Sequence, residues 1–163
     1  MYFFDKIIFI RWLIMRFKTN KNNKEYIFDM KMVYHENEDY YTISCFDENG
    51  VHAGQTSFAI SKANRNPSIW IYKITTFEHY QHRGLGKVMI DTVEMFAKQR
   101  RINVIEGKFY PDNEYAEPFY IKNGYSIERD YNSSEIYKYL DFNKVNSPFE
   151  NLEIEVEEEH ELC

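Results

Sequence analysis

The sequence predicts one mixed α/β (α+β) domain whose sheet is mostly antiparallel and contains a central β-α-β crossover. The chain has 163 residues, 44% of them hydrophobic, which fits a single globular domain. Its first half alternates β-branched and aromatic runs with turn residues, a pattern typical of an antiparallel meander. Its middle holds one run with helical spacing between two strand-like segments, which implies a right-handed crossover between parallel strands.

The meander is predicted from four strand-like segments that precede the helical run. The Asn49-Gly50 pair indicates a hairpin between the second and third segments, because both positions tolerate positive φ. A polar loop spans residues 61–67. The four predicted strands cover residues 25–34, 39–46, 51–60 and 68–77.

The helical run begins near Gly84 and is predicted to end at about Arg100. Side chains that are mostly apolar recur there at three- and four-residue steps and give the helix one apolar face: Leu85, Val88, Met89, Thr92, Val93, Phe96 and Ala97. Residues 102–109 return to strand character. The segment of residues 117–125 predicts a short helix, with Pro118 at its first position and Gly124 just past its end. A last pair of strands flanks Asn132-Ser133.

The two ends of the chain differ in character from the middle. Residues 1–24 are interpreted as an N-terminal segment followed by a polar linker over residues 18–24, residues 25–145 as the domain, and residues 146–163 as a solvated acidic tail. Lys6, Arg11 and Arg16 interrupt the first apolar runs, which are far shorter than the roughly 20 residues of a membrane-spanning helix. We therefore expect a short helix or strand packed on the domain, no membrane partner and a cytoplasmic location.

Charge and cysteine content exclude several other classes of protein. With 26 acidic and 20 basic residues the formal charge is −6, and the one dense basic run, residues 98–101, lies at the predicted helix end, where cations complement the helix dipole. A nucleic-acid partner is therefore not expected. Cys45 lies in a strand-like run and Cys163 at the end of the chain, so no disulfide framework is expected. The five histidines are scattered, and no metal site is predicted.

The segment "QHRGLG", residues 81–86, joins the last strand of the meander to the helix. Unpaired N–H groups at a helix start, together with the helix dipole, make a natural anion site. Gly84 and Gly86 let the backbone approach a ligand closely, because glycine has no Cβ. The turn therefore predicts a phosphate-binding loop.

Two common phosphate-binding motifs do not fit this turn. A dinucleotide fingerprint requires a third glycine where Met89 stands, and it belongs near the start of a doubly wound domain. A P-loop requires serine or threonine where Val88 stands and glycine where Gln81 stands. Both assignments fail on residue identity.

The same hexapeptide resembles the Gln/Arg-x-x-Gly-x-Gly/Ala signature of the GNAT superfamily of N-acetyltransferases, whose loop binds the pyrophosphate of acetyl-CoA. "ITTF", which precedes it, resembles the strand before that loop in the family, and one long amphipathic helix follows, as in the family. "PFYIKNGY" resembles the family's closing motif, in which a tyrosine is followed three residues later by glycine and an aromatic residue. The resemblance runs from residue 69 to about residue 140.

The resemblance implies transfer of an acetyl group from acetyl-CoA, as co-substrate, to a primary amine of a small molecule or a protein. The pyrophosphate would be bound by backbone N–H groups of the signature, with added positive charge from two of its side chains, Arg83 and Lys87. The pantetheine arm would form strand-like hydrogen bonds with the preceding strand. The implied cofactor-binding residues are Ile74, Thr75, Thr76, Gln81, His82, Arg83, Gly84, Leu85, Gly86, Lys87 and Asn113.

The resemblance also implies the residues of the chemical step. Tyr120 matches the tyrosine that many members use as general acid toward the departing thiolate. Glu106 and Glu78 are the candidate bases for the amine. Asn113 precedes Tyr120 by seven residues, as the family's CoA-contacting asparagine often does. Pro118 argues against a helix that starts at Asn113, so we expect this asparagine in a loop.

The chain departs from the family in one respect that bears on the acceptor. Members usually carry two helices between their first two strands, and these helices wall the acceptor site. Residues 25–46 read as strand, short loop and strand, which leaves no room for such helices. Either the N-terminal segment substitutes for them or the acceptor side is open. An acidic chain favours a cationic amine as the acceptor. The alternative function, a non-catalytic CoA-binding or interaction module with the same fold, stays open, and so does a homodimer.

Overall fold

The structure is a computed structural model that describes residues 12–143 and 155–157, with the backbone alone for residues 12–14 and 155–157. Nine strands in this part of the chain form one sheet in the order β7-β8-β6-β5-β4-β3-β2-β1-β9. The strands are β1 Trp12–Lys21, β2 Lys24–His35, β3 Tyr40–Asp47, β4 His52–Ser61, β5 Ser68–Thr76, β6 Val104–Phe109, β7 Ser126–Arg129, β8 Ser134–Tyr139 and β9 Glu155–Glu157. The helices are α1 Leu85–Gln99 and α2 Ala116–Lys122, and a short 3₁₀ turn covers Glu78–Tyr80.

The predicted fold class is confirmed. Every neighbouring strand pair is antiparallel except β5 and β6, which run parallel and are joined by the crossover helix α1. β2 and β3 are connected by a four-residue turn, residues 36–39, so no helix lies between them. The predicted meander has one strand more than expected, because β1 precedes it.

α1 holds the core against one face of the sheet, which we call the helical face. Its apolar stripe is buried from Leu85 to Ala97, as the periodicity predicts. Near its end Phe96 contacts the rings of Tyr41 and Phe58 at centroid distances of 4.7 and 5.1 Å. Ile71 and Ile105, on the two parallel strands, belong to the same buried cluster.

The β3–β4 hairpin forms at the predicted place by a different mechanism. Only Gly50 takes positive φ, at 77°, whereas Asn49 does not. The carboxylate of Asp47 accepts hydrogen bonds from the N–H groups of Asn49 and Val51, both at 2.9 Å. The aspartate side chain therefore shapes this turn, and the expectation of two positive-φ positions is wrong.

The interpretation of residues 18–24 as a linker is also wrong. β1 and β2 form a hairpin along their whole length, from the Trp12–Val33 pair to the Lys21–Lys24 pair. Asn22 and Asn23 make the turn with φ of 54° and 60°, a conformation that asparagine tolerates well. The polar run is a hairpin end, although its composition is that of a loop.

The expected acidic tail is only partly described. Three residues of the tail, Glu155–Glu157, are described. They pair antiparallel with β1, so this part of the tail is a strand and not solvated chain. The rest of residues 144–163 and residues 1–11 lie outside the described residues, and the domain boundaries stay a prediction. No helix in the described part of the chain has the length and apolar character that crossing a membrane requires.

If β1 belongs to the core, shortening Phe17 will be costly. Its side chain has 0% exposure and lies on Phe28, with ring centroids 5.8 Å apart. Phe17→Ala should lower the free energy of unfolding by about 3–5 kcal/mol in urea denaturation. Lys18→Ala, on the other face of the same strand, is the control and should cost less than about 1 kcal/mol. Equal, small effects would show that β1 is peripheral.

Candidate active site

A gap opens between the two parallel strands at the middle of the sheet. β5 and β6 pair over three rungs only, which end at Ile71 and Gly107. Tyr72 is an extra residue in β5, because Ser57 pairs with Lys73 while Phe58 pairs with Ile71. Such a β-bulge bends the strand that carries it. Beyond it, β5 stays paired with β4 to Thr76 but no longer pairs with β6.

Backbone groups of β5 face this gap at alternate residues. The N–H of Phe77 donates to the carbonyl of Ala53 next to β4, at 3.0 Å. Because the direction of backbone groups alternates along a strand, Thr75 also faces β4, whereas Ile74 and Thr76 face the gap. The carbonyl of Thr76 receives a 3.4 Å hydrogen bond from the Gln81 side chain. Of the three strand residues expected to bind the pantetheine arm, two are therefore oriented toward the gap.

Gly107 allows the last rung before the gap to close. A Cβ at this position would lie 2.9 Å from the carbonyl oxygen of Ile71 and 3.2 Å from the Ile136 side chain. Any side chain at position 107 would thus force the two parallel strands apart. Gly107 therefore permits the last pair of residues before the gap to form.

The loop that the sequence predicts to bind phosphate lies where β5 leads into α1. Gly84 caps the helix with φ of 85°, and His82 also takes positive φ, at 61°. The first intrahelical bond runs from the Val88 N–H to the Gly84 carbonyl, at 3.2 Å. From His82 to Lys87 no backbone N–H donates to another group among the described residues. N–H groups of this kind at a helix N-terminus can bind an anion, and the anion site itself stays a prediction.

The two basic side chains of the loop have protein partners. The guanidinium of Arg83 lies over the rings of Tyr26 and Tyr80, 4.7 and 5.2 Å from their centroids. Lys87 pairs with Asp91 one turn along the helix, at 2.8 Å. The charges of both side chains are thus engaged by other protein groups, and Arg83 attaches the loop to the β1–β2 hairpin through Tyr26.

Tyr80 extends this attachment to the β3–β4 hairpin. Its hydroxyl donates to the carboxylate of Asp47 at 2.6 Å. This hydrogen bond lowers the pKa of Asp47 and raises the pKa of Tyr80 above its ordinary value. Sequence reasoning missed the contact, because the two residues lie 33 positions apart.

Gly86 serves packing as well as ligand approach. A Cβ on it would lie 2.9 Å from the Phe119 ring of α2. The two helices meet at this point, so the second glycine of the motif sets how closely α2 lies to the loop.

Tyr120 is buried on α2, with 6% exposure, and its ring lies 6.0 Å from that of Phe109 at the end of β6. β6 forms the other side of the gap, so the structure brings Tyr120 beside it. Burial raises the pKa of the Tyr120 phenol to about 12, so the group is protonated at neutral pH. Within the described residues its hydroxyl makes no hydrogen bond.

A buried polar cluster, which sequence reasoning missed, supports the end of α2. Glu94 of α1 has 7% exposure and accepts hydrogen bonds from the Tyr125 hydroxyl at 3.1 Å and Lys138 at 2.8 Å. Lys138 also donates to the Asn123 carbonyl, at 2.8 Å. The one available signal was a glutamate within an apolar helix face. The cluster fixes the chain that follows Tyr120.

The two candidate bases lie far apart. Glu106 is on β6 beside Trp70, one rung before the gap, and its Oε2 accepts a 2.9 Å hydrogen bond from Ser68. Glu78 is exposed in the 3₁₀ turn beyond the end of β5. From Trp70 to Thr76 the strand advances roughly 20 Å. The two carboxylates therefore cannot act on the same atom.

Asn113 lies in the exposed β6–α2 loop, as expected. Its N–H donates to the Tyr110 carbonyl at 3.0 Å, and its carbonyl accepts from Ala116 at 3.3 Å. The expected helix start is wrong by two residues, because Pro118 is the third residue of α2 and not the first. No hydrogen bond is lost there, since the first four N–H groups of a helix have no intrahelical partner. In the described residues no group of three or more His, Cys, Asp or Glu could hold a metal.

The contact between Gly86 and Phe119 makes a double-mutant prediction. Gly86→Ala should lower the free energy of unfolding by about 1–3 kcal/mol, because the new methyl group overpacks the helix contact. In Gly86→Ala/Phe119→Leu the loss should be smaller than the sum of the two single losses, measured by urea denaturation. Additive losses would mean that the two positions do not touch.

Comparisons with known proteins agree with this architecture. The model of the "Acetyltransferase (GNAT) family" matches residues 7–125. Among solved structures, the PaiA N-acetyltransferase of Thermoplasma acidophilum, in complex with coenzyme A, is similar with TM-score 0.56 and 20% identity, covering 64% of each chain. The match thus spans less than two thirds of that protein's length.

Two further structures share the fold. A GNAT-family acetyltransferase of Staphylococcus aureus Mu50 has TM-score 0.58 and 17% identity over 66% of this chain and 72% of its own. Arabidopsis thaliana NAA60, in complex with a bisubstrate analogue, has TM-score 0.56 and 12% identity over 67% and 86%. A search of curated protein sequences gives no significant match.

Proposed function

The chain belongs to the GNAT acetyltransferase family, and from this premise we propose that it transfers an acetyl group from acetyl-CoA to a primary amine. The observation that carries the proposal is the continuity between the loop and the gap. β5, whose gap-facing backbone groups have no strand partner beyond Ile71, leads into the loop with unpaired N–H groups, and the Gln81 side chain joins that loop to the Thr76 carbonyl. A phosphate-bearing cofactor with an amide-containing arm fits both features. The similar Thermoplasma acidophilum structure holds coenzyme A.

In this proposal the cofactor lies along β5. The pyrophosphate accepts hydrogen bonds from N–H groups between His82 and Lys87, where the helix dipole favours negative charge. The pantetheine arm pairs with Ile74 and Thr76 and takes the place of the missing strand. The thioester then lies toward the closed end of the gap, near Ile71 and Gly107.

The reaction is a direct attack of the amine on the thioester. The neutral nitrogen forms a bond with the carbonyl carbon, the carbonyl becomes an oxyanion, and a strand N–H stabilises it. The C–S bond then breaks, and the electron pair leaves with sulfur. The sulfur takes the phenol proton of Tyr120, and the surplus proton on nitrogen restores the phenol through solvent. The products are the amide and the free thiol of coenzyme A.

Glu106 is the proposed base, because it lies one rung from the closed end of the gap. An amine reaches the active site as an ammonium ion and must lose a proton before it attacks. Ser68 holds one carboxylate oxygen in place and leaves the other for that proton. Glu78 lies at the phosphate end of β5 and is too distant for this step.

Cofactor binding is tested by thermal unfolding. Acetyl-CoA and CoA should raise the melting temperature, with a stabilisation of about 2.7 kcal/mol when the ligand concentration is 100 times Kd. ATP and NAD should have much less effect. Gly84→Val should remove the shift, because a β-branched residue disfavours the positive φ of the loop.

Gly50→Val is the matched control, since Gly50 also has positive φ and a Cβ there meets nothing within 4 Å. It should lower stability yet keep the shift with CoA. Equal stabilisation by ATP and CoA would contradict the cofactor assignment.

The role of Tyr120 is tested by removing its hydroxyl alone. Tyr120→Phe should lower kcat by roughly 10²–10⁴, because a positioned general acid is lost, while CoA affinity stays the same. Because the pKa of Tyr120 is about 12, its ionisation should not lower kcat between pH 7 and 10. The measurement is a steady-state rate at saturating acetyl-CoA, with a CoA titration of both proteins.

Tyr125→Phe is the control, because this neighbouring tyrosine is also buried but donates to Glu94. It should lose stability without a comparable loss of kcat. An unchanged kcat in folded Tyr120→Phe, or a loss found only in Tyr125→Phe, would remove Tyr120 from the mechanism.

A further inference from the structure

We propose that the sheet face opposite the helices binds the acceptor, and that the acceptor is an aliphatic diamine or polyamine. One ammonium group binds Glu106 between the rings of Trp70 and Tyr137, and the next lies over Tyr137 and Tyr139. The inference rests on the acetyl transfer proposed above and names the substrate class of the same site.

Three side chains stand in one row across three strands. Trp70 of β5 is paired with Glu106 of β6, and Glu106 is paired with Tyr137 of β8. Directly paired residues share a face, with Cβ atoms about 4.5–5.5 Å apart. Their neighbours Ile71 and Ile105 are buried in the core on the helical face. Because side chains alternate, the row of Trp70, Glu106 and Tyr137 lies on the opposite face.

This face has no helical cover among the described residues. α1 contacts Tyr41 and Phe58 on the helical face, and α2 meets α1 at Phe119. The β2–β3 connection, residues 36–39, is a turn and contributes no helix. Tyr137 and Tyr139 are 38% and 71% exposed, so a small ligand can reach their rings.

The chemistry of the row suits an alkylammonium ion. Ser68 donates to Oε2 of Glu106 and fixes the carboxylate, whereas Oε1 accepts no hydrogen bond within the described residues. An ammonium group has three donors and needs such an acceptor. Aromatic residues are paired with Glu106 on both sides, and aromatic rings attract a cation through their faces. The net charge of −6 attracts cationic ligands to the protein.

The position of Glu106 links this site to the reaction. It lies one rung before the gap, and one residue of strand is about 3.3 Å long. A nitrogen held by Glu106 is therefore at the closed end of the gap, where the thioester is proposed. After this nitrogen gives its proton to Glu106, it is beside the carbon that it attacks.

Tyr139 defines the place of a second charge. It follows Tyr137 by two residues on the same face, about 7 Å further along β8 and away from the gap. The two rings meet edge to face, with centroids 6.1 Å apart, and offer a second cation-binding surface. Two nitrogens separated by four carbons span about 6 Å when extended. A diamine of this length joins the two positions.

The test compares 1,4-diaminobutane with butylamine, its matched monoamine, at saturating acetyl-CoA. The diamine should have a kcat/KM at least tenfold higher. Tyr139→Leu should reduce that preference by roughly 3–30-fold, the loss of one cation–π contact. Tyr34→Leu is the control, because Tyr34 is likewise an exposed tyrosine, at 37%, but contacts Tyr41 on the helical face. This variant should leave the preference for the diamine unchanged.

A binding measurement separates this inference from the proposed function. 1,4-Diaminobutane is titrated into the CoA complex by calorimetry, and its binding should weaken at least tenfold in Glu106→Gln and several-fold in Tyr139→Leu. Transfer to butylamine without any preference for the diamine would overturn the diamine site and keep the enzyme. The same conclusion would follow if transfer occurred but diamine affinity changed equally in Glu106→Gln, Tyr139→Leu and the Tyr34→Leu control. Diamine binding without transfer to any amine would overturn the enzyme and keep the site. Neither binding nor transfer would overturn both.

Discussion

The end of the parallel pairing between β5 and β6 is the constraint on which the rest of the site depends. The pairing stops at Ile71 and Gly107 because Tyr72 is a bulge and the next residues follow β4 alone. Polar backbone groups then face a gap, and unpaired groups of this kind favour a ligand that hydrogen bonds as a strand does. The loop before α1, Tyr120 and Glu106 are all placed relative to this gap.

The β1–β2 hairpin and the turn that follows β2 both affect the surroundings of the gap. Tyr26 of β2 and Tyr80 contact Arg83, so the hairpin supports the loop that is proposed to bind phosphate. The short β2–β3 turn, however, supplies no wall over the opposite face of the sheet. The first effect supports the proposed cofactor site, and the second leaves the row that contains Glu106 without helical cover in the described part of the chain.

Local signals in the sequence were sufficient for the helix and for most strands, because α1 has strong apolar periodicity and Gly84 follows a strand directly. They failed at the end of β1, because residues 18–21 have the composition of a loop although they pair with β2. The gap was not predictable from adjacent threonines, since these suit any strand and pairing is decided by a neighbour about 35 residues away. Partners of Glu94 and Arg83 were hidden for the same reason: these contacts join distant parts of the chain.

Amide hydrogen exchange with and without CoA tests the central claim most directly. If the pantetheine arm takes the place of a strand in the gap, CoA should slow exchange at the N–H groups of Ile74 and Thr76 and at the start of α1. Exchange at Thr75 should change little, because this N–H already faces β4. Protection at the helix start alone, with Ile74 and Thr76 unchanged, would show that the cofactor does not occupy the gap and would contradict the account.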